Sequence, residues 1–195
     1  MRRVMRSAML PSALSVLLLS AAPGVSTRAS EPVHTAQQEH TAGGLNREEV
    51  ELFRHSKVTL SEAITAAKNH GAGQLVEASF DISSGKPVYQ VKTFQNNEVW
   101  VAAIDAQSGQ LVGYGTIVAE DQLDDEDRAE VASLRQATVT LAQAVDTAEK
   151  GLNCRAISAE LEQANGTVTY EITIIPIDGL PKKATVNPKT RQLGG

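Results

Sequence analysis

The sequence predicts an α+β protein of two tandem repeats. Each repeat is helix-helix followed by a three- or four-stranded antiparallel sheet, with the helices on one face. Three observations predict this. The stretch Val58-Thr59-Leu60-Ser61-Glu62-Ala63-Ile64-Thr65-Ala66-Ala67 returns 81 residues later as Val139-Thr140-Leu141-Ala142-Gln143-Ala144-Val145-Asp146-Thr147-Ala148. Both copies carry T-x-x-E or T-x-x-Q, a capping box in which the Thr hydroxyl takes one helix-start N–H and the Glu or Gln takes another. Behind each box, apolar residues fall at i, i+3, i+4 and i+7 (Leu60, Ala63, Ile64, Ala67 and Leu141, Ala144, Val145, Ala148), which gives each helix one buried face. Finally, Val76, Ala78, Phe80 and Ile82 alternate with Glu77, Ser79 and Asp81. A period of two with one wet face favours an antiparallel sheet.

In chain order, Asn46 with Glu49 reads as a cap and an acid for a first helix over 47–56, and Asp127 with Glu130 reads the same way in the second copy. A second helix over 60–70 ends at Gly71 and Gly73, as a C-cap glycine would end it. Strands follow over 75–82, 88–94 and 98–104, separated by Ser83-Ser84-Gly85-Lys86-Pro87 and Asn96-Asn97, with a fourth over 110–118 in the first copy. In the second copy Asn165-Gly166 is a strong hairpin signal ahead of a strand over 167–175. Pro176 and Pro181 then loosen the connection to a strand over 182–186 or place that strand at an edge. The expected boundaries are a repeat over 45–118, an acidic linker over 119–125 and a second repeat over 126–195.

The N-terminus reads as an export signal over 1–29. Arg2, Arg3 and Arg6 precede an apolar stretch from Ala8 to Ala22, and Thr27-Arg28-Ala29 offers a small-x-small cleavage site. The apolar run is too short and broken for a spanning helix of about 20 residues, so membrane contact is expected only in transit. A flexible leader over 30–44 follows. Cleavage would remove four arginines and carry the formal charge from −5 to about −9, which excludes nucleic acid as a natural partner. Aromatics are scarce at 4%, so the core should be rich in Val, Ile, Ala and Leu.

The motifs Val58–Ala67, Gly85-Lys86-Pro87-Val88-Tyr89-Gln90-Val91 and Ile104-Asp105-Ala106-Gln107-Ser108-Gly109-Gln110-Leu111 resemble a PepSY domain. The second copy resembles it less well, with Asn187 in place of the Asp and Arg191 in place of the Gly. The resemblance implies an exported, non-catalytic module. That family occurs in propeptides of secreted metallopeptidases and in envelope proteins, where it is thought to hold peptidases in check. The two-copy layout is also similar in topology to the secreted β-lactamase inhibitor fold.

The motif residues are apolar or turn-forming and carry no chemistry of their own. No G-x-S-x-G, H-E-x-x-H, P-loop or dinucleotide fingerprint is present, so no enzyme, catalytic residue or cofactor is expected. The acidic run Asp121, Asp124, Asp125, Glu126, Asp127 lacks calcium-loop spacing and suits a helix start. His34, His40, His55 and His70 form no local ligand pair. Cys154 cannot form an internal disulfide and reads as a small buried hydrophobe. What remains is the sheet face turned away from the helices. There Glu77, Asp81, Lys92, Val99 and Val101 form a candidate partner-binding surface, an apolar patch in a polar rim. The expected partner is an envelope protein such as a peptidase. Two alternatives stand beside it: a metal or small-ligand sensor using the leader and acidic run, and a dimerisation module pairing two copies by an edge strand or Cys154.

Overall fold

Capping chemistry starts the helices. The computed structural model describes residues 45–194 apart from 72, 165, 166 and 178, so the expected export signal, the expected leader and the expected Asn165-Gly166 turn lie outside the described residues. Asn46 Oδ1 accepts from Glu49 N at 2.7 Å to open α1 (Arg47–Arg54). Before α2 (Leu60–His70), Glu62 N donates to Thr59 Oγ1 at 3.2 Å and Thr59 N donates to Glu62 Oε2 at 2.8 Å. Thr140 and Gln143 repeat the box at 3.2 and 3.0 Å ahead of α4 (Leu141–Leu152). The remaining helix, α3 (Asp125–Leu134), corrects the sequence reading. Its first turn is capped by Asp124, whose Oδ1 accepts from Asp127 N at 2.9 Å, while the Asp127 carboxylate lies 4.0 Å from the Lys92 ammonium.

Gly71 caps α2 at φ −132, so the left-handed geometry expected of it is not used. It serves as space instead: a Cβ there would sit 2.4 Å from Trp100 Cε3.

The eight strands among the described residues form one antiparallel sheet in the order β4-β3-β2-β1-β5-β6-β7-β8. They are β1 (Gln74–Asp81), β2 (Val88–Gln95), β3 (Glu98–Asp105), β4 (Leu111–Ala119), β5 (Arg155–Ala164), β6 (Thr167–Ile175), β7 (Lys182–Val186) and β8 (Leu193–Gly194). A 3-10 turn over Glu120–Gln122 follows β4. The central seam is short: β1 meets β5 through Ala78↔Ala159 and Ser79↔Ser158. Side chains reach across it at both ends. Arg155 Nη2 donates to Val58 O at 2.9 Å and to Ser56 Oγ at 3.0 Å, with its guanidinium over the Phe53 ring. At the other end Gln74 Nε2 donates to Leu134 O at 3.4 Å.

Helices α2 and α4 cover one face, burying Leu60, Ile64, Tyr89 and Ile104 with Leu141, Val145, Tyr170 and Ile172 in a single core. The short loops before both helices are tied down alike. Tyr89 Oη donates to Val58 O and Tyr170 Oη to Val139 O, each at 2.7 Å. Burial pushes both phenols up, Tyr170 to about 12, so they remain donors. The turn after β3 is held by Asp105 Oδ1, which accepts from Gln107 N and Ser108 N, and Asn187 Oδ1 does the same for Lys189 N and Thr190 N. Arg191 takes the positive φ (+61) that Gly109 takes at +72. Bonds from its guanidinium to Thr147 Oγ1 at 2.6 Å and to Asp146 at 3.4 Å offset that strain.

The expectation that all helices share one face fails for α3, which crosses the opposite face. Val131 packs with Leu123 against Val99 in a second, smaller cluster bordered by Phe94, Val101 and Val118. The cause is apolar: alternation leaves Val99 and Val101 on the face away from α2, and the segment after β4 supplies Leu123 and Val131 to cover them.

Candidate functional site

The sheet face opposite α2 and α4 brings four of the five predicted residues together and leaves one apart. Glu77 on β1 and Lys92 on β2 are register partners and form an ion pair at 2.6 Å. Val101 on β3 lies half-buried beside them at the cleft under α3. Val99 was expected to be exposed, but is only 4% exposed because Leu123 and Val131 cover it. Asp81 sits at the far end of β1 and serves its own hairpin, accepting from Ser83 N at 2.8 Å and Ser83 Oγ at 2.7 Å. The apolar strip is therefore a roofed cleft of about 210 Å³ bordered by Lys92, and not an open patch.

Sequence reasoning missed what α3 adds. Glu130 is a buried carboxyl, 8% exposed, among Glu77, Asp127, Lys92 and Glu160. Burial first, then repulsion from Glu77 and Asp127, pushes its carboxyl up to about 8. Burial and Glu77 push Glu160 up to about 7. Lys92 is pushed up by Glu77, Asp127 and Glu130 even though burial opposes its charge. The available signal was the outward parity of Glu77, Lys92 and Glu160; that a helix would lie over them was not encoded in any local pattern.

The second feature is an edge. Strand β4 bounds the sheet over nine residues, and most of it is exposed. Tyr114 is 96% and Ile117 62% exposed, and no residue from Leu111 to Ala119 carries a charge. The opposite edge is the two-residue β8. The β3–β4 register slips between Val101 and Ala103, where Gly113 and Gly115 adopt φ +74 and +73 and Tyr114 stands between them. Gly115 is also a close approach, because a Cβ would fall 2.4 Å from Trp100 Nε1.

Other candidates do not assemble. Cys154 is half-buried, and burial and then Glu149 push its thiol up, away from a reactive thiolate. His55 Nδ1 lies 2.7 Å from Glu51 O, and His70 ends α2. His34 and His40 lie outside the described residues. Among the described residues no three His, Cys, Asp or Glu side chains are placed to hold a metal, and no helix is long and apolar enough to cross a membrane.

Residues 57–114 match the PepSY family, described as the peptidase propeptide and YPEB domain. The matched segment runs from the end of the α1–α2 loop to the middle of β4, under a third of the chain. A candidate lipoprotein of Clostridium difficile 630 has a similar solved structure, at 23% identity and a TM-score of 0.39, covering 72% of this chain and 92% of its own. No curated protein matches. Within the matched segment the motif residues have structural roles: Thr59 caps α2, Tyr89 holds Val58 O, Asp105 closes a turn and Gly109 supplies a positive φ. A PepSY segment of this kind is a propeptide-like, non-catalytic module in general, consistent with a protein partner and a link to peptidases.

Proposed function

We propose that the chain is an exported, non-catalytic binding module, made of two copies of one PepSY-type unit over 45–118 and 126–195, that engages an envelope protein such as a peptidase. Doubling is supported by features 81 or 82 residues apart: the two capping boxes, the two tyrosine bonds, the Asp105 and Asn187 turns, and the Ala78↔Ala159 seam. The export signal over 1–29 supports a periplasmic or secreted location. The layout of one long sheet with helices mainly on one face also fits the likeness to secreted β-lactamase inhibitors.

The observation that carries the binding reading is the β4 edge. An uncharged, exposed edge strand presents unpaired backbone groups on which another chain can add a strand, here on either side of the slip at Gly113 and Gly115. The partner surface would run from this edge onto the adjoining face that holds Glu77, Lys92 and Val101, while Val99 lies covered beneath Leu123 and Val131 and Asp81 stands apart at its hairpin. Immobilised protein is incubated with an envelope extract, and retained proteins are identified and assayed for peptidase activity. A peptidase held by the wild type and lost with Tyr114→Asp/Ile117→Asp supports the reading. No retained protein, or equal retention by both, refutes it. The same uncharged edge would also pair two copies of this chain, which light scattering of the wild type and the double variant distinguishes.

A further inference from the structure

We propose that α3 is a proton-latched strap, shut over the apolar strip of β1–β4 at low pH and released as Glu130 and its neighbours ionise. The strap is anchored at its C-terminal end, where Leu134 is buried in the main core and its carbonyl accepts from Gln74 Nε2 at 3.4 Å. Toward its start, the buried part of the second cluster is only Val131 and Leu123 against Val99. Arg135 adds a stack on Phe94 at 5.0 Å and a bond to Glu120 Oε2 at 2.9 Å just past the end of the helix. The cleft of about 210 Å³ beneath it leaves Val101 and Val118 loosely covered.

Into this contact α3 carries Glu130, whose carboxyl makes no hydrogen bond or ion pair among the described residues. The groups facing it come from every neighbouring element: Asp127 from its own helix, Glu77 from β1, Lys92 from β2 and Glu160 from β5. Behind them Glu171 on β6 is paired with Lys183 on β7. The cation that faces Glu130 is already committed to Glu77 at 2.6 Å and is shared with Asp127 at 4.0 Å. A buried carboxyl facing three carboxyls and a shared lysine is stable there only while it keeps its proton.

The direction follows from linkage. The docked strap holds the Glu130 proton up to about pH 8, whereas the released helix lets it go near the ordinary carboxyl value of 4.5. Docking is therefore fullest below the lower value, weakens as pH rises between the two, and changes no further above the upper one. Glu160 contributes in the same sense over a narrower window, to about pH 7. In this way a shift from acid to mildly alkaline surroundings uncovers Val99 and Val101. That a partner then meets this strip rests on the proposed binding role; the release itself does not.

The test is hydrogen–deuterium exchange of the full chain at pH 5 and pH 8.5, corrected for intrinsic amide chemistry and read without any partner. Peptides spanning 125–134 should lose protection by at least about tenfold, while those from α4 hold steady. Glu130→Gln, which keeps the shape and removes the charge, should keep α3 protected at both pH values. Equal protection of wild-type α3 at the two pH values overturns the proposal, as does a Glu130→Gln variant that opens like the wild type. Should Glu130→Gln also disturb α4, Glu77→Gln and Glu160→Gln provide the second reading. Each removes one facing charge, brings the docked Glu130 closer to its ordinary value and must shrink the loss of α3 protection between pH 5 and pH 8.5; if neither does, the strap is not proton-latched.

Discussion

Tyr89 and Tyr170 occupy matching places, yet their loss should not cost the same. Tyr170→Phe removes the bond to Val139 O and leaves that buried carbonyl without the partner that held it at 2.7 Å. An unsatisfied buried acceptor costs about 1–3 kcal/mol, and about 1.5 kcal/mol is expected here. Tyr89→Phe removes an equally short bond, but Val58 O also accepts from Arg155 Nη2 at 2.9 Å and from Ser56 Oγ at 3.4 Å. That carbonyl stays satisfied, and the cost should be about 0.5 kcal/mol. The difference of about 1 kcal/mol corresponds to about 2–4 °C in Tm for a unit of this size. Urea and thermal unfolding followed by circular dichroism would measure it. The stronger test is a double-mutant cycle. In an Arg155→Met background, Tyr89→Phe should become as costly as Tyr170→Phe, a coupling of about 1 kcal/mol. Equal costs in the wild-type background, or additive costs in the cycle, would refute the claim that Arg155 backs up the first tyrosine across the seam.

Two further predictions rest on packing. Gly113→Ala and Gly115→Ala both place Ala at a positive φ, but only the second meets Trp100. The first should cost about 1–2 kcal/mol, and the second about 2–4 kcal/mol with a changed tryptophan emission; equal costs and unchanged emission would count against the close approach. Val99→Asp places a charge under Leu123 and Val131 and should cost more than about 2 kcal/mol, whereas Asp81→Asn at the exposed hairpin should stay within about 0.5 kcal/mol. Denaturant midpoints check both, and a neutral Val99→Asp would mean that α3 does not cover this face.

Local chemistry was legible because its partners lie within a few residues. Thr59 with Glu62, Thr140 with Gln143, and the alternation of Val76 to Ile82 each state a helix start or a strand face. Gly71 was legible only in part. As a helix-ending glycine it was placed correctly, but the reason for it, room for the Trp100 ring, comes from a strand 29 residues further on. The loops after β3 and before β8 were legible as turns, yet nothing local shows that Arg191 is held at its positive φ by Thr147 and Asp146 from α4.

By itself the sequence determined the element types, the capping sites and which residues share a strand face, since these follow from short-range hydrogen bonds and fixed periods. Only the tertiary structure decided that β1 and β5 join two half-sheets into one, that α3 roofs Val99, and that Glu130 meets Glu77 and Glu160. Those outcomes depend on where apolar surface is left over once the local elements have formed. The side chains that cover it are supplied from far along the chain, so no window of the sequence contains both sides of the contact.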